Sequence, residues 1–312
     1  MLRHKKYMEE QTVSLIITSF KEKTLDKAIA AALNQNTKYN YNVIVVSPDD
    51  KDLQFAESVG AIPFKDPGQG KSFALNKVFK EIKSDILIFT DGDVYINSTA
   101  VEEIVNGFNN TKIGCLTGRP VPLENRKSKY GYWANVLFNA AHKIRRDAFL
   151  NNKFIECSGY LFAFRGGHIK KIPLDVAEDT YIPFFFSGKG YRIGYAEKAK
   201  VYVKNVDNFK DWLLQKVRTS KAHETLDKYV DTKKNKKVKS LSGEAKGLFK
   251  VLKEPANPRE FYWTLQLIAA RGYMWAKVKT DIKIKNKHYS DGWESPKSTK
   301  KIEGGIKYEK SK

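Results

Sequence analysis

Between Val13 and Thr90 the hydrophobic positions fall into short β-branched runs, separated by stretches of helix formers whose apolar residues recur every three or four positions. Val13-Ser14-Leu15-Ile16-Ile17-Thr18 has strand character, and Leu25, Ile29 and Leu33 punctuate a predicted helix over Thr24 to Asn34. A second strand, Asn42 to Val46, closes on Ser47-Pro48-Asp49-Asp50. A helix over Leu53 to Val59 leads to a short strand, Ala61 to Phe64, and a Gly-rich turn leads to a helix over Ser72 to Ile82. Asp85-Ile86-Leu87-Ile88-Phe89-Thr90 completes a β-α-β-α-β-α-β series. Such alternation predicts an α/β fold: a Rossmann-like, mostly parallel sheet flanked by helices, with its ligand site at the carboxyl ends of the strands.

Further along, the pattern predicts an aromatic-rich helix over Tyr130 to Arg146, a strand over Cys157 to Arg165, and an apolar segment opened by Ala177-Glu178-Asp179-Thr180. A strand over Gly194 to Val203 and a helix over Asn208 to Ala222 follow. Near Val230 the composition shifts, which divides the chain into a catalytic-type unit (1–230), a basic linker (231–260) and an apolar aromatic helix with a charged tail (261–312). In the linker Lys233, Lys234, Lys236, Lys237 and Lys239 are nearly consecutive, either a solvated run or a surface for anions. From Phe261 to Val278 a helix would place Thr264 and Arg271 on one narrow side and Gln266 and Lys277 on another, leaving most of its circumference apolar. Arg271 and the limited length argue against a membrane span. Two readings stay open: a helix lying in a membrane interface, or one packed on the protein's own core.

Composition narrows the partners. Fifty-six Lys+Arg against 35 Asp+Glu give a formal charge of +21, which favours anionic partners without choosing among nucleic acid, acidic lipid and phosphorylated substrates. Cys115 and Cys157 are far apart and lack metal-ligand spacing, so they are expected as reduced core residues in a cytosolic setting. Met1 to Gln11 carry no apolar stretch, and no signal peptide is expected.

The chemistry concentrates at strand ends. Asp91-Gly92-Asp93 closes the strand at Ile86, and two carboxylates there would repel and lose hydration unless a cation sat with them. Asp-Gly is also a common turn dipeptide, but Asp49 and Asp50 end a second strand of the same series. Carboxylates gathered on one sheet edge point to a metal and nucleotide site. Gly68-Gln69-Gly70-Lys71-Ser72 imitates a phosphate-binding P-loop, yet the glycine required five residues before Gly70 is Lys65, so that motif is rejected. The turn still sets backbone N–H groups and Lys71 at a helix start, where a diphosphate can approach.

Taken in order, these elements resemble a family 2 glycosyltransferase of the GT-A fold. The likeness is carried by Val13 to Thr18, Val45-Val46-Ser47-Pro48-Asp49-Asp50, Gly70-Lys71-Ser72-Phe73-Ala74-Leu75-Asn76, Asp91-Gly92-Asp93, Glu178-Asp179 and Gln215-Lys216-Val217-Arg218, over about residues 12–222. It implies nucleotide binding by Asp49 or Asp50, with Thr18, Lys71, Asp91, Gln215 and Arg218 also on the donor side. Mg²⁺ or Mn²⁺ would be held by Asp93, with Asp91 beside it or facing the nucleotide sugar. Asp179 would be the catalytic base, supported by Glu178. Thr219 stands where processive members carry tryptophan. The stretch Tyr289-Ser290-Asp291-Gly292-Trp293-Glu294 resembles the membrane-apposed C-terminal segments of some prokaryotic members.

The resemblance implies inverting transfer from a UDP- or GDP-sugar to an acceptor hydroxyl, and the basic linker and aromatic helix add the expectation of a glycan or lipid-linked acceptor on the cytoplasmic, inner face of a membrane with an anionic surface. A nucleotidyltransferase on a related sheet, a nucleic-acid-binding protein and a lipid-binding scaffold without activity are the competing classes. No nucleic-acid partner is expected, because acidic strand ends would repel a phosphate backbone.

Overall fold

The computed structural model describes residues 11–221, 223, 225–232, 235 and 251–283. The lysine run from Lys233 to Lys239 and the Tyr289 to Glu294 stretch lie outside the described residues.

Strands β1 (Val13–Thr18), β2 (Tyr41–Ser47), β3 (Ile62–Lys65) and β4 (Ile86–Asp91) alternate with helices α1 (Leu25–Leu33), α2 (Asp50–Ser58) and α3 (Lys71–Glu81), matching the predicted series. Beyond them come β5 (Val94–Ile96), α4 (Ala100–Gly107), β6 (Ile113–Pro122), α5 (Lys129–Leu150) and β7 (Leu161–Arg165). The described residues continue with α6 (Glu178–Gly188), β8 (Arg192–Val203), α7 (Phe209–Lys221) and α8 (Pro258–Lys283).

One sheet holds all eight strands in the order β3-β2-β1-β4-β7-β6-β8-β5. Its first half is parallel, as the alternation predicts. The second half is mixed: β7 runs antiparallel to both β4 and β6, β5 runs antiparallel to β8, and β6 and β8 are parallel. Four of the seven neighbouring strand pairs are thus parallel, so the predicted mostly parallel character holds, with the antiparallel pairs confined to the second half. Between β6 and β7 the chain returns through the long helix α5, which delivers β7 in the opposite sense. The predicted strand over Cys157 to Arg165 begins only at Leu161, because the four residues before it form the turn that reaches α6.

Side-chain alternation splits the core. Leu15, Ile17, Val43, Val45, Ile86 and Ile88 face α1 and α4, whereas Ile16, Ile44, Val46, Leu87 and Phe89 face α3 and α6. Burial on both faces is the reason Leu15, Ile16 and Ile17 are apolar in succession rather than alternating with polar residues. Cys115 and Cys157 are free thiols buried in this core, their Sγ atoms 3.4 Å apart, in keeping with the expectation from spacing.

A further cluster joins Tyr132 and Trp133 of α5, Trp212 and Val217 of α7, and Leu267, Met274 and Val278 of α8. Each such buried aliphatic side chain contributes about 1.5–3 kcal/mol. Polar contacts fix the register at both ends of α8. Arg126 donates to Glu260 through Nε (3.0 Å) and a terminal nitrogen (2.6 Å), and Lys221 meets Asp281 at 2.9 Å where both side chains are buried. One face of the aromatic helix thus packs on the protein's own core. Its opposite face leaves Phe261, Tyr262, Leu265 and Tyr273 exposed, Tyr262 to 60%. No helix among the described residues is long and apolar enough to cross a membrane.

Candidate active site

Parallel pairing sets Thr18 opposite Asp91 at the carboxyl ends of β1 and β4. The Thr18 hydroxyl donates to Asp91 Oδ1 at 2.9 Å, and the Gly92 N–H donates to the Thr18 carbonyl at 2.9 Å. A Cβ on Gly92 would stand 3.1 Å from Ser19 Cβ and Oγ, so the close approach of these two strand ends favours glycine between the aspartates.

Gly70, at φ +116°, turns the chain into α3 and brings Lys71 to the same place. The Lys71 ammonium lies 2.7 Å from Asp91 Oδ1 and 2.8 Å from Glu178 Oε1. Burial disfavours its charge, and the Asp91 and Glu178 carboxylates overcome that, holding its pKa well above the ordinary lysine value. Lys71 therefore stays cationic and joins the strand-end aspartates to the first turn of α6.

Asp93 is the opposite case. Burial first, then the Asp91 and Glu22 carboxylates, push its pKa up to about 7, against a smaller opposing pull from Lys71. Among the described residues no three His, Cys, Asp or Glu side chains form a ready-made metal cage. A hard cation of the Mg²⁺ type needs no such cage, since it is commonly held by one or two carboxylates together with substrate phosphates and water. A half-buried carboxylate destabilised by two like charges suits that role, and the residues present fit a divalent cation.

At the start of α6 the acidic pair divides its work. Glu178, almost fully buried, turns to Lys71. Asp179 accepts through Oδ2 from the Gly159 N–H at 3.0 Å. The turn before β7 is thus what orients Asp179, and a Cβ on Gly159 would meet Oδ2 at 3.3 Å.

Tyr160 stands among these groups. Burial raises its pKa well above the ordinary phenol value, and the Asp93, Asp91 and Asp179 carboxylates add to this while Arg218 of α7 opposes it. Asp91, Asp93, Asp179 and Arg218 therefore converge on one phenol, which the sequence reading treated as an ordinary strand residue. Gln215 lies one turn before Arg218 on α7.

On the nucleotide-turn side, Asp49 caps α2, accepting from the Lys51 N–H at 2.9 Å. Asp50 is exposed and pairs with Lys65 at 2.6 Å. Asp52, unremarked in the sequence, accepts from Ser19 and Ser47 at 3.0 and 2.9 Å and so ties the ends of β1 and β2. Asp66 was also missed. Its N–H donates to the Ser47 carbonyl at 3.2 Å, burial raises its pKa, and its Oδ2 has no hydrogen-bond partner among the described residues. Asp66 directly follows β3, so its strand-end position, the same signal that marked Asp49 and Asp91, could have found it.

Comparison with known proteins agrees with this geometry. The chain is 25% identical over 180 residues to the O-antigen chain rhamnosyltransferase WbaN of Salmonella anatum, a match covering 54% of this chain and 51% of that protein. It is 23% identical over 112 residues to protein RfbJ of Shigella flexneri, covering 36% of this chain and 78% of RfbJ. The chain therefore spans about half the length of the first of these relatives. Among solved structures, a mannosyltransferase from Pyrobaculum calidifontis, in complex with GDP-Man and Mn²⁺, superposes with a TM-score of 0.51 at 15% identity, covering 92% of this chain and 87% of that one. That likeness shows the fold alone: a GT-A type α/β architecture. The family profile described as Glycosyl transferase family 2 matches residues 14–172, just over half of the chain, and on that match the protein belongs to glycosyl transferase family 2.

Proposed function

We propose that this protein transfers a sugar from a nucleoside-diphosphate donor to an acceptor hydroxyl, with inversion and with a divalent cation. The observation that carries this reading is the Lys71 bridge from Asp91 to Glu178, which gathers cation-binding and acid-base side chains at one strand edge.

As the glycosidic bond breaks, charge builds on the departing diphosphate. Asp93, with Asp91, would hold Mg²⁺ or Mn²⁺, which supplies charge neutralisation for that leaving group. Lys71, kept cationic, and Arg218 add positive charge on the same side. Asp179 takes the proton from the acceptor hydroxyl as its oxygen attacks C1 from the face opposite the leaving group. The Gly159 N–H donates to Oδ2, while Oδ1 accepts only a long 3.4 Å contact from the Thr180 hydroxyl and is the oxygen we assign to the proton transfer. Glu178 keeps Lys71 in place. Asp49 and Asp50, on the nucleotide turn, and Asp66, which follows β3 and donates its N–H to the Ser47 carbonyl, are the base-reading side.

The GDP-Man and Mn²⁺ bound by the mannosyltransferase of the same fold support a nucleotide-sugar donor held with a cation. The O-antigen chain rhamnosyltransferase among the relatives supports a glycan acceptor, which we extend to a lipid-linked glycan at the cytoplasmic face of a membrane. A membrane-apposed surface is supported by α8, whose exposed aromatic face continues onto α7: the Phe209 and Tyr273 rings are 6.3 Å apart, and Leu214 is exposed beside them. With Arg259 and Lys279 towards its two ends, such a face suits an interface in the plane of an anionic bilayer.

A thermal-shift panel of UDP-, GDP-, CDP- and dTDP-sugars with Mn²⁺ tests the donor, since a true donor stabilises the fold according to its concentration over Kd. Release of NDP from the stabilising donor is the expected result. Pyrophosphate release from NTP and a sugar phosphate would establish the nucleotidyltransferase instead.

A further inference from the structure

A cavity of about 500 Å³ lies between the C-terminal half of α5, the paired strands β6 and β8, and the turn from β5 into α4. None of its lining residues belongs to the donor or acid-base groups described above. Its volume is within the range of about 300–1,000 Å³ usual for small-ligand sites.

The walls are cationic. Strand register sets Arg119 of β6 directly beside Lys200 of β8, and Lys198 and Arg146 complete the set. Two carboxylates also line the cavity, Glu103 and Glu197. Glu197 is committed to Arg146 at 3.3 Å, so with that pair set aside three cations, Arg119, Lys198 and Lys200, face one carboxylate, Glu103. Arg119 is half-buried and has no hydrogen bond or ion pair among the described residues. A guanidinium held in that state, with five donors in a fixed fork, suits a planar or tetrahedral oxyanion.

Beside it the site is rigid. His142 Nδ1 lies 2.7 Å from the hydroxyl of buried Tyr195, which fixes the ring while its other nitrogen remains for a ligand. Asn97 accepts from the Lys200 N–H at 2.8 Å and donates to the Lys198 carbonyl at 3.3 Å, clamping the segment that carries both lysines. Thr99, the residue before α4, adds the positive end of that helix. Burial and the Arg119 guanidinium both hold His142 below the ordinary imidazole value, in keeping with a surplus of positive charge there.

We propose that this cavity is a second binding site, taking an oxyanion, a phosphate or carboxylate, with Arg119 and Lys200 as its anchors. Its bearer is either the free ion or an acidic saccharide, and the two are separable by experiment.

The full-length protein carrying ¹³C-labelled histidine is titrated with inorganic phosphate, glucose 1-phosphate, glucuronate and, as an uncharged control, glucose. His142 is assigned through His142→Gln. His168, which packs on Phe186 and Tyr191 away from the cavity, is the internal reference. The expected result is a saturable shift of the His142 resonance with the anions and not with glucose, with His168 unmoved. Affinity should fall at least tenfold in Arg119→Ala and also in Lys200→Ala, with thermal unfolding of each variant confirming an intact fold. Tighter saturation by the sugar anions assigns the site to a saccharide-borne group, and the reverse assigns it to the free ion. Absence of a saturable His142 shift, equal shifts of His142 and His168, or unchanged affinity in both folded variants would overturn the proposal.

Discussion

Lys71 stands 2.8 Å from Glu178, a contact that spans more than a hundred residues of sequence and joins the helix after β3 to the helix before β8. Glu178 is nearly inaccessible to water, so its charge depends on this ammonium. Breaking one side of a buried ion pair costs about 3–5 kcal/mol because the other charge is left stranded. Lys71→Met is therefore expected to lower stability by that order and to abolish turnover. Adding Glu178→Gln should restore most of the stability and none of the turnover. Denaturant unfolding of both single variants and the double variant, run alongside NDP release, checks this; additive stability losses would count against the coupling.

Asp179→Asn keeps an oxygen able to accept from the Gly159 N–H and removes the ability to take a proton. Donor affinity should stay within about twofold while turnover falls by about 10²–10⁴-fold, the usual scale of general-base catalysis. Calorimetric donor binding and NDP release measured on the same preparation decide it, and retained turnover would remove Asp179 from the role.

Asp93→Ala takes away the half-buried carboxylate that most needs a cation. Nucleotide-sugar affinity in Mn²⁺ should fall to the level that the unaltered protein shows in EDTA, with little loss of fold stability. Equal affinity for the two proteins in Mn²⁺ would speak against a metal at this aspartate.

The two faces of α8 should behave differently. Met274→Ala cuts into the cluster shared with α5 and α7 and is expected to cost about 2–5 kcal/mol. Leu265→Glu and Tyr273→Glu alter exposed positions and should leave stability within about 0.5 kcal/mol while weakening flotation with anionic vesicles. Undiminished flotation of the double variant would separate this face from membrane binding.

Acid stability follows from the histidines. Burial, then neighbouring cations, holds His142 and His168 below the ordinary imidazole value, which is about 6.5 in the unfolded chain. Below about pH 6.5 these two histidines are protonated in the unfolded state before the folded one, so their contribution to stability rises with pH and falls on acidification. Asp93 contributes in the opposite sense, its raised pKa favouring the folded state less and less as pH rises from about 4 to about 7. His142→Gln should flatten part of that slope. Urea midpoints compared at about pH 5 and about pH 8 test it, and an unchanged slope would mean that His142 titrates alike in both states.

The chain's local chemistry made much of this legible. Parallel strands buried on both faces must be continuous apolar runs, so β1, β2 and β4 could be read directly, and with them the edge carrying Thr18, Asp91 and Asp93. Lys71 and the Glu178-Asp179 pair stood out because each opens a helix. Tyr160 and Glu22 did not: each is a single residue without a spacing signature, and the place of Tyr160 depends on an antiparallel strand entering between β4 and β6. The aromatic helix showed its length and its apolar excess, but periodicity does not tell which apolar face meets a core.

By itself, then, the sequence determined the alternating half of the sheet, the acidic strand ends and the apolar helix, because each is encoded by neighbours in the chain. Tertiary structure decided the rest. It turned Glu178 rather than Asp179 towards Lys71, hung Asp179 on the Gly159 N–H, divided α8 into a covered and an uncovered face, and stacked Arg119 beside Lys200. Those relationships are fixed by strand order and helix packing, which bring together residues that no local period connects.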